Sequence, residues 1–310
     1  HPRANLYVLF KMKRLLLLLL FVPVLALAWE PTRPVTVVIG NAPGAGNELA
    51  FRKLASIISQ TSPRISFVVE NRAGADSVIA MNHLMTEPAD GHSIGVFNHM
   101  SQYVTQDIWQ RDIKRYQFNT FTDVLTIGKS PLVLVANKDS AVRSPEQFAT
   151  LIKTTTKPVF VAVGSGAHRI TFEYLILKTA GNRSMVKHIQ FNGPAQALQS
   201  VVSPAGGTEF GIMPLTIAMP LIEANRVRAI GITGYRTVSQ HPQIPLLKTI
   251  APDINVFAAW NIVLPPNTSR EIVEYYVDLF SKAINSADYR EWMDQNLVFV
   301  ERRELRPEGL

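Results

Sequence analysis

The sequence contains no cysteine, which excludes disulfide bonds, thiolate metal sites and a cysteine nucleophile. It also lacks the Gly-Lys-Ser/Thr of a P-loop and the paired histidines of a zinc protease. We therefore predict no cofactor and no metal. Hydrophobic residues make up 47% and charged residues 18% of the 310 positions, a globular composition rather than a disordered, collagenous or coiled-coil one. A chain of this length has room for two domains with ordinary cores.

The excess of positive charge lies largely at one end of the chain. The formal net charge is +7, but residues 1–28 carry four basic side chains and no acidic one. From Trp29 onward there are 27 basic and 24 acidic side chains. A nucleic-acid-binding protein typically carries its basic excess as a patch on the folded part. We therefore predict no nucleic-acid partner.

Residues 12–28 have the three parts of a secretory signal peptide. Met12-Lys13-Arg14 is the basic part, a run of leucines opens the apolar part, and an Ala-x-Ala pattern ends at Ala28. A membrane anchor is the alternative, but the apolar stretch is shorter than the ~20 residues of a spanning helix. We predict cleavage after Ala28 and a location in the periplasm. Residues 1–11 match neither signal nor domain and are interpreted as an upstream or non-native segment.

The rest of the chain alternates between β-branched runs of strand length and apolar stripes of helical spacing. The predicted strands are residues 35–40, 65–69, 92–97, 131–136, 159–163, 186–191, 209–213, 227–233 and 258–264, and the predicted helices are 48–58, 77–85, 146–152, 170–180, 195–202 and 269–281. Asn47 and Ser144 are predicted N-caps. This alternation is typical of two α/β units in tandem, each built on a parallel sheet.

Two glycine-bearing loops, residues 41–48 and 164–168, each follow a strand and precede a helix. The free backbone N–H groups and positive end of a helix attract anions at such positions. Two facing α/β domains would enclose a ligand between the loops, and a small carboxylate would fit there. The alternative for either loop is a structural turn that binds nothing.

Two enzymatic interpretations of these loops have weaker support. The first loop is partly similar to a dinucleotide fingerprint, with Glu70 after the next strand, but Leu49 stands where the third glycine belongs. Ser165 and His168 could be the nucleophile and base of an exported serine hydrolase, although the glycine spacing of a nucleophile elbow is missing. Three aromatic residues, more often found in a core, could line an apolar pocket: Tyr103, Phe191 and Trp260.

Eight segments carry a resemblance that extends over most of the chain after Ala28. They are Trp29-Glu30-Pro31, Asn41-Ala42-Pro43-Gly44-Ala45-Gly46, Val69-Glu70-Asn71-Arg72-Ala73-Gly74-Ala75, Ala89-Asp90-Gly91-His92-Ser93, Ser130-Pro131-Leu132-Val133-Leu134-Val135, residues 164–168, Phe191-Asn192-Gly193-Pro194-Ala195 and Arg228-Ala229-Ile230-Gly231-Ile232-Thr233. In content and order they resemble the extracytoplasmic solute receptors of the tripartite tricarboxylate transporters, also called Bug proteins.

The resemblance implies an α/β, two-lobed periplasmic binding protein of type II-like architecture, with a ligand cleft between two Rossmann-like lobes. The implied lobes are residues 30–131 with 258–310, and residues 132–257. Such a protein is not an enzyme. It captures a di- or tricarboxylate or an aromatic acid by clamshell closure and, as a monomer, delivers it to membrane permease subunits of the transporter. A periplasmic ligand-sensing subunit of the same fold is the alternative.

The resemblance also implies the ligand-binding residues, because family members hold a ligand carboxylate with main-chain groups and ordered waters between the two loops. By position they are Ala45, Gly46, Asn47 and Glu48 in the first loop, Ser165, Gly166, Ala167 and His168 in the second, and the side chains of Asn192 and Trp260. Asn47-Glu48 departs from the family's Thr or Ser followed by Asp, so the resemblance does not identify the solute. The family's final helix has no counterpart before Leu310, so we expect a truncated first lobe with uncovered apolar surface.

Overall fold

A computed structural model describes residues 29–100, 106–117, 119–203 and 207–300. The chain divides into two units, His1–Glu30 and Pro31–Leu310, and of the first unit only Trp29 and Glu30 are described. The predicted signal peptide with the segment before it, Tyr103 and residues 301–310 lie outside the described residues. In the described part, no helix combines the length and the apolar character needed to cross a membrane.

Strands and helices alternate along the second unit, as the hydrophobic pattern predicts. Strands β1 to β9 are Val35–Ile39, Phe67–Asn71, Ser93–Asn98, Thr122–Asn137, Val159–Val163, Val186–Gln190, Phe210–Pro214, Val227–Ile232 and Phe257–Leu264. Helices α1 to α9 are Gly46–Thr61, Val78–Leu84, Gln106–Trp109, Pro145–Thr154, Gly166–Lys178, Pro194–Val202, Leu215–Glu223, Arg270–Ile284 and Ala287–Gln295. Two short 3-10 turns are Ala75–Ser77 and Leu247–Thr249.

The long strand β4 joins two groups of parallel strands. β1 pairs in parallel with β2 and β3 (the first group), and β5 pairs in parallel with β6 and β7 (the second group). Up to Pro131, β4 pairs antiparallel with β9, and from Leu132 it pairs with β7 and β8. The resulting strand order is β2-β1-β3-β9-β4-β7-β5-β6, with β8 also on β4. One strand therefore passes from the first group to the second between Pro131 and Leu132.

The C-terminal elements return to the first group. β9 pairs antiparallel with β3, and α8 and α9 pack against α1. The buried Tyr276 hydroxyl donates to the Gly91 carbonyl, and the buried Tyr289 hydroxyl donates to the Ile127 carbonyl at 2.7 Å. Burial raises the pKa of both phenols, so both remain protonated donors. These two hydrogen bonds fix α8 and α9 to elements of the first group and to β4.

Each group of strands has its own apolar core. Val38, Met81, Phe97 and Val263 belong to a buried cluster between the first group, α2 and β9. A second buried cluster includes side chains of β4, β7, β8, α6 and α7. Burial of an aliphatic or aromatic side chain of this size stabilises the fold by roughly 1.5–3 kcal/mol, so these clusters hold the strand ends and their loops in place.

The two predicted helix caps have different outcomes. Ser144 caps α4 as predicted, since its side chain accepts a hydrogen bond from the Gln147 N–H at 3.2 Å. The prediction for Asn47 is wrong: α1 begins at Gly46, after Ala45 in an extended conformation and without a side-chain cap. Asn47 therefore lies inside the first turn of the helix.

Candidate functional site

A cavity of about 270 Å³, here called the central cavity, lies where the carboxyl ends of β1, β2, β5 and β6 come together. Its lining residues follow these four strands, lie at the start of α5, or come from the segment around α3. They are Gly40, Asn41, Gly74, Ala75, Asp76, Ser77, Trp109, Gln110, Gly164, Gly166, Arg169, Gln190, Phe191 and Asn192. Ligands of open α/β sheets bind at this edge, and the volume is near the lower end of the ~300–1,000 Å³ typical of ligand pockets.

Loops from the two groups of strands touch beside the central cavity. The Ala42 N–H, after β1, donates to the Asn192 carbonyl, after β6, at 3.5 Å. A Cβ on Gly193 would lie 3.9 Å from the Cβ of Ala42. A Cβ on Gly164 would lie only 2.5 Å from the backbone of Gly193, so glycine is required for the loops after β5 and β6 to approach. The two groups of strands therefore meet beside the cavity through these loops.

An unusual turn after β2 forms one wall of the central cavity. Ala75, Asp76 and Ser77 have positive φ values of 48°, 51° and 73°, in the left-handed region that costs a non-glycine residue roughly 1–2 kcal/mol. The Ser77 hydroxyl donates to the Gly40 carbonyl at 3.3 Å, and a Cβ on Gly40 would lie 2.3 Å from the Cβ of Ser77. Strained backbone of this kind clusters at ligand-binding sites.

The first turn of α5 faces the central cavity with one side and the protein interior with the other. Gly166 opens the helix and lines the cavity, as does Arg169; residues three apart lie on the same helix face. Ala167 and His168, between them, are buried. Ser165 is the N-cap, and its hydroxyl accepts a hydrogen bond from the His168 N–H at 3.4 Å. The positive end of α5 therefore points to the cavity.

His168 supports the second loop as a neutral side chain. Its Nδ1 accepts a hydrogen bond from the Gly164 N–H at 3.3 Å, and burial lowers its pKa to about 3. Its contact with Ser165 runs through the His168 backbone N–H to the Ser165 hydroxyl, not through the imidazole. The serine-hydrolase alternative therefore lacks the nucleophile-to-base hydrogen bond that it requires.

The polar residues of the first loop hold that loop in place. The buried Glu48 carboxylate accepts hydrogen bonds from the Gly44 N–H at 3.1 Å, the Asn71 amide at 3.2 Å and the Arg52 Nε at 2.7 Å. The buried Asn47 amide donates to the Asn41 side chain at 3.1 Å and to the carbonyl of Val96 at 3.0 Å. Both side chains thus have partners within the protein.

The central cavity brings together two of the ten residues predicted to bind ligand, Gly166 and Asn192. The other eight are not among the lining residues: Ala45, Gly46, Asn47, Glu48, Ser165, Ala167, His168 and Trp260. Gly46 packs directly against the buried Trp260 ring. Phe191, considered for an apolar pocket, lines the cavity.

Sequence reasoning missed the turn after β2, Trp109, Gln110, Arg169 and Gln190. A signal for Arg169 was present, because it follows Gly166 at the helical spacing that puts both on one face.

The charged groups of the central cavity are Asp76 and Arg169. Asp76 is engaged with a partner within the protein. The Arg169 guanidinium stacks over the Trp109 ring, 4.7 Å from its centroid, and its Nε is buried without a hydrogen-bond partner. The cavity therefore presents an unsatisfied cationic donor beside a helix N-terminus, an arrangement that favours an anionic ligand. Within the described ranges, no cluster of three or more His, Asp or Glu could hold a metal ion.

Comparison with known proteins identifies the family to which this chain is similar. Residues 52–302 match the family described as "Tripartite tricarboxylate transporter family receptor". A UPF0065 protein from the tcbD-tcbE intergenic region of Pseudomonas sp. (strain P51) is 28% identical over 271 residues, which are 86% of this chain and 78% of that protein.

Two solved structures share the fold. MatC of Rhodopseudomonas palustris with bound malate has a TM-score of 0.80 at 22% identity, over 90% of this chain and 92% of that one. R. palustris Rpa4515 with adipate has a TM-score of 0.77 at 21% identity, over 86% and 88%. The predicted two-lobed α/β binding-protein fold is confirmed, and the family consists of solute-binding proteins rather than enzymes. The chain belongs to the tripartite tricarboxylate transporter receptor family.

Proposed function

We propose that this protein captures a small carboxylated solute in the central cavity and delivers it to the permease subunits of a tripartite tricarboxylate transporter. The observation that carries the proposal is the Arg169 guanidinium, whose Nε has no hydrogen-bond partner, at the cavity wall beside the N-terminus of α5. Malate and adipate, which are bound by two proteins of the same fold, are small carboxylic acids and support the same ligand class.

Capture proceeds by closure of two lobes, residues 30–131 with 258–310 and residues 132–257. The change of partners along β4 between Pro131 and Leu132 supports this boundary. The contact between Ala42 and Asn192 supports a closed arrangement in which the loops of both lobes reach the solute. A ligand that contacts both lobes only when they are closed stabilises that state, so closure is a shift of population.

The protein acts in the periplasm, as a monomer, after removal of the signal peptide at Ala28. Family membership and the basic, apolar and Ala-x-Ala parts of residues 12–28 support this location. The released solute passes to the permease, which requires that closed and open forms differ in their affinity for the membrane subunits. Uptake into membrane vesicles that contain the permease should therefore depend on the added receptor.

Thermal stability in the presence of candidate ligands tests the proposal. We would screen mono-, di- and tricarboxylates, aromatic acids and acidic amino acids, with the uncharged amide of each acid as its control. An acid at a hundred times its dissociation constant should stabilise the protein by about 2.7 kcal/mol, and its amide should not. Replacement of Gly166 by leucine should place a side chain at the cavity wall and abolish the shift without unfolding the protein. A folded protein that no acid stabilises would overturn the proposal.

A further inference from the structure

We propose that Arg169 and His188 form a binding subsite for an acidic group in a second cavity that adjoins the central one. This cavity, the outer pocket, has a volume of about 330 Å³ and lies between α5 and the edge strand β6. Arg169 and Gln190 line both cavities, so the outer pocket continues from the place where a ligand would sit.

Helix α5 and strand β6 each contribute one face to the wall of the outer pocket. Arg169 and Glu173, four residues apart, lie on the same face of α5. His188 and Gln190, two residues apart, lie on the same face of β6. All four line the outer pocket, so its walls consist of polar and charged side chains on two rigid elements. Such elements hold recognition groups more precisely than loops do.

Two buried nitrogen atoms in these walls have no hydrogen-bond partner, Nε of Arg169 and Nε2 of His188. The His188 side chain is only 11% exposed, and its ring packs edge-on against the buried Phe172 ring, 5.9 Å away. A buried polar nitrogen without a partner costs roughly 1–3 kcal/mol. An acceptor that enters the outer pocket and reaches these nitrogens after a rotation of the two side chains would recover that cost, and both residues can donate a hydrogen to it.

The charge of the outer pocket selects an anionic acceptor. Arg169, Arg183 and Lys187 contribute three cations, and Glu173 is the one carboxylate among the lining residues. Both oxygens of Glu173 accept hydrogen bonds from Arg183, at 2.7 and 3.0 Å, and one of them also lies 3.8 Å from Nδ1 of His188. The charge of Glu173 is therefore compensated by Arg183, and its contact with His188 is through Nδ1, not through Nε2. The guanidinium of Arg169, stacked on Trp109, is left to bind a carboxylate or another oxyanion. Charge-assisted hydrogen bonds of this kind are about twice as strong as neutral ones.

The acidic group has two possible sources, a second carboxylate of the captured solute or a free anion. The first source rests on the proposed function. Its test is calorimetry on the purified protein with unbranched diacids from malonate to suberate, each compared with its half-amide. We expect the best diacid to bind about tenfold or more tightly than its half-amide. Inorganic phosphate, titrated alone and in competition with that diacid, probes the second source.

Substitutions assign the effect to the two residues. His188→Gln should remove most of the preference for the diacid, or most of the phosphate binding, while the half-amide binds as before, since His188 does not line the central cavity. Arg169→Gln should remove the preference and also weaken binding of the half-amide, because Arg169 lines both cavities. Arg143→Gln is the matched control, because it removes the same charge from an exposed residue that lines neither cavity. Arg169→Lys keeps the charge but not the planar donors, so it should restore only part of the affinity. Partial recovery in this variant would show that the loss in Arg169→Gln is not a folding defect.

The outcomes separate this inference from the proposed function. If no carboxylate binds the wild-type protein but phosphate binds through Arg169 and His188, the subsite exists and the proposed function fails. If diacids and half-amides bind equally well and phosphate does not bind, the proposed function stands and the subsite is overturned. Unchanged diacid preference in both glutamine variants would also overturn it.

Discussion

Gly46 and Trp260 are so closely packed that a Cβ at position 46 would lie 2.4 Å from Cζ2 of the Trp260 ring. Both residues were predicted to contact ligand, but the structure places them against each other, with Trp260 only 2% exposed. The Trp260 ring, on the central strand β9, packs against the first turn of α1. Its position fixes where α1 begins, and therefore how the loop after β1 reaches the central cavity.

This packing predicts that Gly46→Ala destabilises the protein by about 1–3 kcal/mol, the usual cost of overpacking a core. A second change, Trp260→Phe, should return part of that loss because the smaller ring leaves room for the methyl group. Chemical denaturation monitored by circular dichroism measures both effects. Gly193→Ala is the control, since its new Cβ would meet its nearest atom at 3.8 Å and should change stability by less than about 0.5 kcal/mol. An equal loss in both alanine variants would contradict the assignment.

Glu48 provides a second prediction, for the loop after β1. Glu48 and Glu274 each accept a hydrogen bond from an arginine four residues away, at 2.7 and 2.6 Å. The Glu48 side chain is 4% exposed and also binds Gly44 and Asn71, whereas the Glu274 side chain is 62% exposed. Glu48→Ala should therefore cost about 2–3 kcal/mol, because it removes three hydrogen bonds that a buried, charged carboxylate accepts. Glu274→Ala should cost less than about 1 kcal/mol, and similar losses in urea titrations of both variants would refute the anchoring role.

The architecture was predictable from the sequence where each strand is short, uniformly apolar and followed by a helix. β4 was not, since only its last part was predicted as a strand. The register of β4 shifts between Asp123 and Leu125 and again between Thr126 and Gly128, and each bulge breaks the alternation on which strand prediction depends. Pro131 lies where β4 changes partners, and proline is a signal against a central strand.

The site was predictable as a pair of loops but not as a set of side chains. The contacts expected at Ala45, Gly46, Asn47 and Glu48 came from a resemblance in loop position, which does not specify which groups of the first turn of α1 face the cavity, since successive residues of a helix differ in direction by about 100°. The turn of Ala75, Asp76 and Ser77 was missed because non-glycine residues rarely adopt positive φ in succession. Trp109 reaches Arg169 from a distant part of the chain, and one sequence contains no signal for such a contact.

His168 predicts how stability depends on pH. Its pKa is about 3 in the folded protein because of burial, against an ordinary value of about 6.5. Between these values the unfolded chain binds the additional proton, so the contribution of His168 is complete above about pH 6.5 and declines as the pH falls toward 3. A protonated Nδ1 also loses its capacity to accept the hydrogen bond from Gly164. The free energy of unfolding should therefore fall by up to about 1.4 kcal/mol per pH unit from this residue.

His168→Asn isolates this effect, since the amide oxygen can still accept a hydrogen bond from Gly164 but does not titrate. Urea denaturation of both proteins between about pH 6 and pH 4.5 should show a shallower loss of stability in the variant. The difference between the two curves removes contributions that they share, such as that of His188, whose pKa burial also lowers. Parallel curves would show that His168 is not buried as a neutral group.

The contact between the loops after β1 and β6 predicts that ligand controls formation of an engineered disulfide. With Ala42→Cys and Gly193→Cys, the two Cβ atoms would be 3.9 Å apart, within the ~3.5–4.5 Å of disulfide geometry, and no native cysteine competes. If the lobes open and close, cross-linking is limited by the closed population, which a bound acid raises. An acid that stabilises the protein thermally should therefore accelerate cross-linking, measured by thiol titration and non-reducing electrophoresis, while its amide should not. Single-cysteine variants control for bonds between molecules. If the binding acid leaves the rate of cross-linking unchanged, the loop contact persists without ligand. Closure of two lobes that meet between residues 131 and 132 is then not the mechanism of capture.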